Sequence, residues 1–150
     1  MEMRITLRGY FLAGAAVYVD AAVLASMLRR MLLEPPVGFG TVFWAQATVF
    51  LLTFAAAPAV LALHLAPKRA FAMAGAAAAA AFAGDLVLLP LKLFAIPGLF
   101  ATDLPARELV PIHSIEAMGI GAFAGVCAAS AITLARGATW VTRRSLATVR

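Results

Sequence analysis

Apolar residues fill four long runs of this chain, and short breaks bearing charges or prolines separate them. The first run covers 9–28, with Arg4 and Arg8 before it and Arg29 and Arg30 after it. Glu34, Pro35 and Pro36 break the chain before a second run over 41–65, which carries Pro58 and is closed by Pro67, Lys68 and Arg69. The third run, 70–93, passes through the alanines at 76–81 and holds Asp85 and Pro90. A loop over 96–108 leads to the fourth run, 109–134, and a basic tail over 136–150 follows.

Each run is about 20–26 residues long, or roughly 30–39 Å as a helix, enough to cross a hydrocarbon core of about 30 Å. No run alternates polar with apolar residues, as the strands of a membrane barrel do. The pattern therefore predicts a single domain over 1–150: an all-α, polytopic transmembrane bundle of four helices. Pro58 has no N–H for the carbonyl of Phe54 and is expected to kink the second helix. The stretch Gly38-Phe39-Gly40 is expected to be a flexible entry to that helix. The first run also has the outline of a secretory signal, but it is too long for one and carries Asp20 at its centre, which favours a retained helix.

Composition agrees with a bilayer as the solvent. The 150 residues are 64% hydrophobic and 13% charged, against about 45–50% and 25% in soluble domains. A soluble fold of this size leaves too much surface exposed to hide such a chain. The net charge of +5 does not point to nucleic acid, because the basic residues cluster at the ends of apolar runs, where they orient helices. Eight of the twelve, Arg4, Arg8, Lys68, Arg69, Arg136, Arg143, Arg144 and Arg150, fall on one side; Arg29, Arg30, Lys92 and Arg107 fall on the other. The positive-inside rule then places both termini in the cytoplasm (N-in, C-in), and the alanine-rich helices with basic inner loops suggest a bacterial inner membrane. Trp44 and Trp140 suit the two interfaces, and Arg143 and Arg144 suit anionic lipid. The single cysteine, Cys127, excludes an internal disulfide and a Cys-rich metal site and reads as a packing residue.

Helices in lipid associate by close backbone approach and interhelical polar contacts. Two small-residue ridges are visible: Ala117, Gly121, Gly125 and Ala129 in the fourth run, and Gly75, Ala79 and Ala83 in the third. His113 continues the first ridge by one step and is expected to point into the bundle, with Glu116 three residues on and nearly on the same face.

Candidate chemistry rests on polar groups at membrane depth, which are costly there and so functional candidates. Counting from the helix ends, Asp20, Asp85 and Glu116 lie about 10–13 Å deep, in one layer. Gln46 falls in the same half. The sequence thus predicts a buried polar cluster of Asp20, Gln46, Asp85, His113 and Glu116, one or more from each helix. Buried carboxylates beside a histidine suit uptake and release of protons or cations. His113, Glu116, Asp85 and Asp20 also offer the ligands of a divalent metal such as Zn, Mn or Fe. Alternatively Lys92, Arg29, Arg30 or Arg107 reaches down and neutralises the acids as interhelical pairs. His64 is expected near the opposite end, which excludes a shared haem with His113. There is no Gly-rich phosphate loop, Ser-His-Asp arrangement or HExxH motif.

The readings that follow are a small transport protein or membrane subunit of a larger complex, with other subunits or further copies as partners beside the bilayer. A membrane-embedded, metal-dependent enzyme acting on a lipid-soluble substrate is the alternative, and a scaffold with a purely structural polar layer is the third.

Overall fold

The computed structural model describes residues 2–31, 37–94 and 105–148, all of them helical except the short turn at 64–66 and Pro105. Helix α1 is Glu2–Met31, α2 Val37–Leu51, α3 Ala57–Leu63, α4 Pro67–Phe94 and α5 Ala106–Thr148. A π-helical turn, Leu52–Ala56, joins α2 to α3, so the two form one continuous span. Four helices, Leu7–Leu28, Gly40–Leu63, Pro67–Phe94 and Arg107–Thr142, are each long and apolar enough to cross a membrane. The described residues are thus built of helices alone, an architecture compatible with an integral membrane protein. The expected breaks at Glu34-Pro35-Pro36 and at 96–104 lie outside the described residues.

Several boundaries differ from the sequence pattern: α1 spans Glu2–Met31 rather than 9–28, and α5 starts at Ala106 rather than at 109. Gly38, Phe39 and Gly40 belong to α2 rather than to a flexible entry, since the two glycines are not enough to stop helix formation ahead of an apolar run. Helix α4 starts at Pro67, a residue tolerated in a first turn because its missing N–H has no helical acceptor there. Helix α5 does not stop near residue 134 but runs on to Thr148, 43 residues in all. That is about 65 Å, far more than a hydrocarbon core needs.

The proline in the second span acts differently from the simple expectation. At the π turn the Ala57 N–H reaches back to the Leu52 carbonyl. One residue later in that register Pro58 has no N–H to give Thr53. The Tyr10 hydroxyl of α1 donates to that carbonyl instead, at 2.7 Å. A backbone acceptor that hydrocarbon would leave bare is thus satisfied by a neighbouring helix. At the same end of the bundle, Arg136 Nη1 of α5 donates to the carbonyls of Ala62 and Leu65, both at 3.0 Å. This closes the last turn of α3 with a cation, as the orphan carbonyls and the helix dipole favour.

Helix α4 is the centre of the bundle and packs most extensively against α5 and α1. Glycines set both approaches. A Cβ at Gly121 would stand 2.9 Å from Phe82 Cβ and 3.0 Å from the Ala78 carbonyl, and one at Gly125 would stand 3.1 Å from Ala78 Cβ. On the other side, a Cβ at Gly84 would meet Tyr18 at 3.0 Å and the Ala15 carbonyl at 3.1 Å. The ridge of α5 therefore faces a neighbouring helix, α4. The ridge at Gly75, Ala79 and Ala83 does not face a neighbour in the same way: Gly75 and Ala79 are exposed, and a Cβ at Gly75 would meet nothing. The buried face of α4 is Ala70, Met73, Ala77, Ala80, Ala81, Gly84, Asp85 and Leu88. Among so many alanines the sequence offers several equivalent stripes, and the glycines of the partner helices select one of them.

Candidate functional site

The end of the bundle opposite the termini holds a polar cluster built from α1, α4 and α5. Asp85 is 2% exposed and His113 is fully buried, the two buried polar or charged side chains of the described core. Asp85 follows Gly84, whose missing Cβ lets the Tyr18 ring lie against the α4 backbone. That approach brings the Tyr18 hydroxyl to Asp85 Oδ1, to which it donates at 2.9 Å. The other carboxylate oxygen, Oδ2, is buried and has no hydrogen-bond partner. It stands 3.6 Å from His113 Nε2.

His113 crosses from α5 to the α4 backbone. Its Nε2 lies 2.7 Å from the Asp85 carbonyl and its Nδ1 lies 3.0 Å from Lys92 Nζ and 3.3 Å from Glu116 Oε2. Only one neutral tautomer satisfies the first two contacts together. With the proton on Nε2 the ring donates to the carbonyl, which has no proton of its own, and Nδ1 accepts from the ammonium. A doubly protonated ring would turn an N–H toward the Lys92 N–H groups. Lys92 also stands 3.6 Å from Glu116 Oε2. Glu116 is half exposed, whereas the Lys92 side chain is 13% exposed. The cluster thus opens outward at Glu116 and is sealed at Asp85.

Of the five residues expected in the polar layer, Asp85, His113 and Glu116 come together. One ligand-capable atom from each lies within 4.8 Å of the others, close enough to be gathered around a metal ion. Asp20 is not with them. It is exposed, two residues beyond Tyr18 on the helix, and so carried to another face of α1. Gln46 lines an apolar cleft between α1, α2 and α5. Lys92 takes the neutralising role open to it in the sequence, but with His113 and Glu116 as its partners. Arg107 pairs with Glu108 at 3.6 Å, both exposed, and does not reach the cluster; the side chains of Arg29 and Arg30 lie outside the described residues. His64 is exposed beside the turn at the opposite end.

Tyr18 is the member that sequence reasoning misses. Its one available signal is that Tyr18 and Gly84 carry complementary shapes on different helices, which no single-helix pattern reveals. The Tyr18 ring also forms part of the wall of the cleft, a space of about 580 Å³ that Phe43, Phe50, Phe54 and Phe123 line with it. Phe50 is the hub of these rings, 4.9 Å from Phe54, 5.6 Å from Phe123 and 6.5 Å from Tyr18 between centroids.

Comparison with known proteins gives no family model, no curated protein and no solved structure that matches the chain.

Proposed function

We propose that the chain is a small integral membrane transport protein, of the bacterial inner membrane and with both termini cytoplasmic, that takes up and passes on protons at Asp85, His113 and Glu116. The observation that carries this reading is the placement of the His113 ring. One nitrogen meets a half-exposed carboxylate and the other a buried, unpartnered one. A proton arriving on Glu116 can pass to Nδ1, displacing the Lys92 ammonium from that lone pair. The proton already on Nε2 can then leave for Asp85 Oδ2 at 3.6 Å. The ring ends neutral in its other tautomer, and one proton has moved inward.

Beyond Asp85 the buried side chains of α4 and α5 among the described residues are apolar. The buried side chains below it are Ala80, Ala77, Met73, Ala124, Ala128 and Ile132. Onward movement needs a rearrangement of the bundle, as in a carrier, rather than a continuous wire.

The test is proton flux into liposomes containing the purified protein, followed with an internal pH dye under an imposed potential. Flux above that of empty liposomes is expected. Glu116→Gln and His113→Gln are expected to fall to the empty-liposome level while remaining folded by thermal unfolding. Wild-type flux equal to that of empty liposomes, or a fully active Glu116→Gln protein, would refute the reading.

A second reading has one specific observation behind it. The apolar cleft shares the Tyr18 ring with the cluster, so a lipid-soluble substrate bound there would lie next to acid–base groups, as an enzyme requires. Turnover of an added lipid-soluble substrate without any flux would favour it.

A further inference from the structure

The cluster has a composition that simple proton exchange does not require. Two carboxylates and an imidazole converge on one small volume, and the positive charge in that volume belongs to a lysine on a flexible stem. Asp85 Oδ2 is buried without a partner, which leaves a strong acceptor unused at the cost usual for such groups. His113 donates Nε2–H to a backbone carbonyl, at 2.7 Å. A histidine that binds a metal through its other nitrogen is commonly held this way, because the hydrogen bond fixes both tautomer and ring orientation. The nitrogen so freed, Nδ1, is the one that faces Glu116 and Lys92.

Charge completes the argument. With both carboxylates ionised, a neutral imidazole and one ammonium leave the cluster one negative charge in excess, whereas two carboxylates with a divalent ion balance. Lys92 Nζ stands 3.0 Å from Nδ1 and 3.6 Å from Glu116 Oε2, in the space an ion held by these atoms would occupy. Lys92 lies in the last turn of α4, where a long stem can carry the ammonium to the interface when it is displaced.

We propose that Asp85, His113 and Glu116 form a binding site for a divalent transition-metal ion, with the Lys92 ammonium as its tethered competitor. One nitrogen and two carboxylate oxygens suit zinc or manganese and do not suit copper(I), which prefers sulfur. Glu116, half exposed, is the first ligand an incoming ion meets, and the sealed His113 and Asp85 complete its shell. The site rests on the reading of this cluster as the working centre, but not on proton transport.

The experiment is zinc titration of the full-length, detergent-solubilised protein by calorimetry, with His64→Gln as the background so that His113 is the one histidine left. One equivalent is expected to bind. Replacing Lys92 by Gln is expected to tighten binding, on the order of tenfold or more, because the competing cation is gone. His113→Gln and Glu116→Gln are each expected to weaken it by at least a comparable factor, roughly ten- to a hundredfold. Glu116 is half exposed, so its variant remains informative if the His113 variant fails to fold. X-ray absorption of the loaded Lys92→Gln protein is expected to show only nitrogen and oxygen neighbours at about 2.0–2.2 Å. No saturable zinc binding in the Lys92→Gln protein, or binding unchanged by both ligand substitutions, overturns the proposal. Proton flux in liposomes without metal binding would sink this inference alone, and metal binding without flux would sink only the transport reading.

Discussion

A fully buried histidine needs a partner for each ring nitrogen, because hydrocarbon and packed protein supply no water to do it. His113 finds the Asp85 carbonyl on one side and Lys92 with Glu116 on the other. Its spacing to Glu116 is readable in the sequence, since residues three apart share a helix face. The choice between Asp20 and Asp85 is not. Each is a single acid within an apolar run at similar depth, and only the rotation of each helix separates them. Asp85 is turned inward behind Gly84, and Asp20 is turned outward. Tyr18 follows from the same rotation, for its hydroxyl is the side-chain donor to Asp85 Oδ1. Tyr18→Phe keeps the ring in its place against Gly84 and removes only that donor, leaving the carboxylate with neither oxygen hydrogen-bonded to a side chain. The expected loss is about 1–3 kcal/mol, the cost of a buried acceptor left unsatisfied, measured by thermal or denaturant unfolding in detergent. A Tyr18→Phe protein as stable as the parent would mean that Asp85 is neutral or otherwise satisfied and that the hydrogen bond adds no stability.

At the level of helices, length and hydropathy give the four spans almost to their ends, because twenty apolar residues leave the backbone no alternative to a helix in lipid. Packing is less legible. The stretch of alanines in α4 is small at every position, so its contact face depends on where the neighbours bring glycine. Gly121 and Gly125 fix the α5 side at Ala78 and Phe82, and Gly84 fixes the α1 side at Ala15 and Tyr18. The sequence shows the α5 ridge and misses the α4 face by one position. A matched pair of substitutions tests the assignment. Gly121→Ala puts a methyl 2.9 Å from Phe82 Cβ and 3.0 Å from a backbone carbonyl, so the helices must separate; the expected cost is about 1–3 kcal/mol. Gly75→Ala meets nothing and should be neutral or slightly stabilising, by up to about 1 kcal/mol from helix propensity. Equal effects of the two in thermal unfolding would mean that α4 presents a different face to α5. The π turn teaches a related lesson. Pro58 marks a disturbed helix from sequence alone, but the register of the disturbance, and hence the bare carbonyl at Thr53 that Tyr10 fills, depends on the fold.

For the molecule as a whole, what matters is that the two ends of the bundle differ. The end bearing the termini has Arg136 tied to the close of α3, and the middle is packed with alanine, methionine and isoleucine. The other end holds the cluster and its half-exposed carboxylate. If both termini are cytoplasmic, as the distribution of lysine and arginine favours, the cluster is expected to be reached from the outer side. That asymmetry can be measured directly. In a background with Cys127→Ala, a Glu116→Cys protein in sealed inner-membrane vesicles and in intact cells should react with a membrane-impermeant thiol reagent only in the orientation that exposes the face opposite the termini. Reaction should slow in the presence of zinc if the remaining ligands, Asp85 and His113, join the new thiolate around an ion, since cysteine is itself a good zinc ligand. Labelling from the face that carries the termini would invert the access argued here, because Glu116 would then lie on a path through the apolar half of the bundle. Labelling from neither face would mean that the half-exposed side of α5 is covered by lipid or by another subunit, and the polar cluster would have to be supplied from within the membrane.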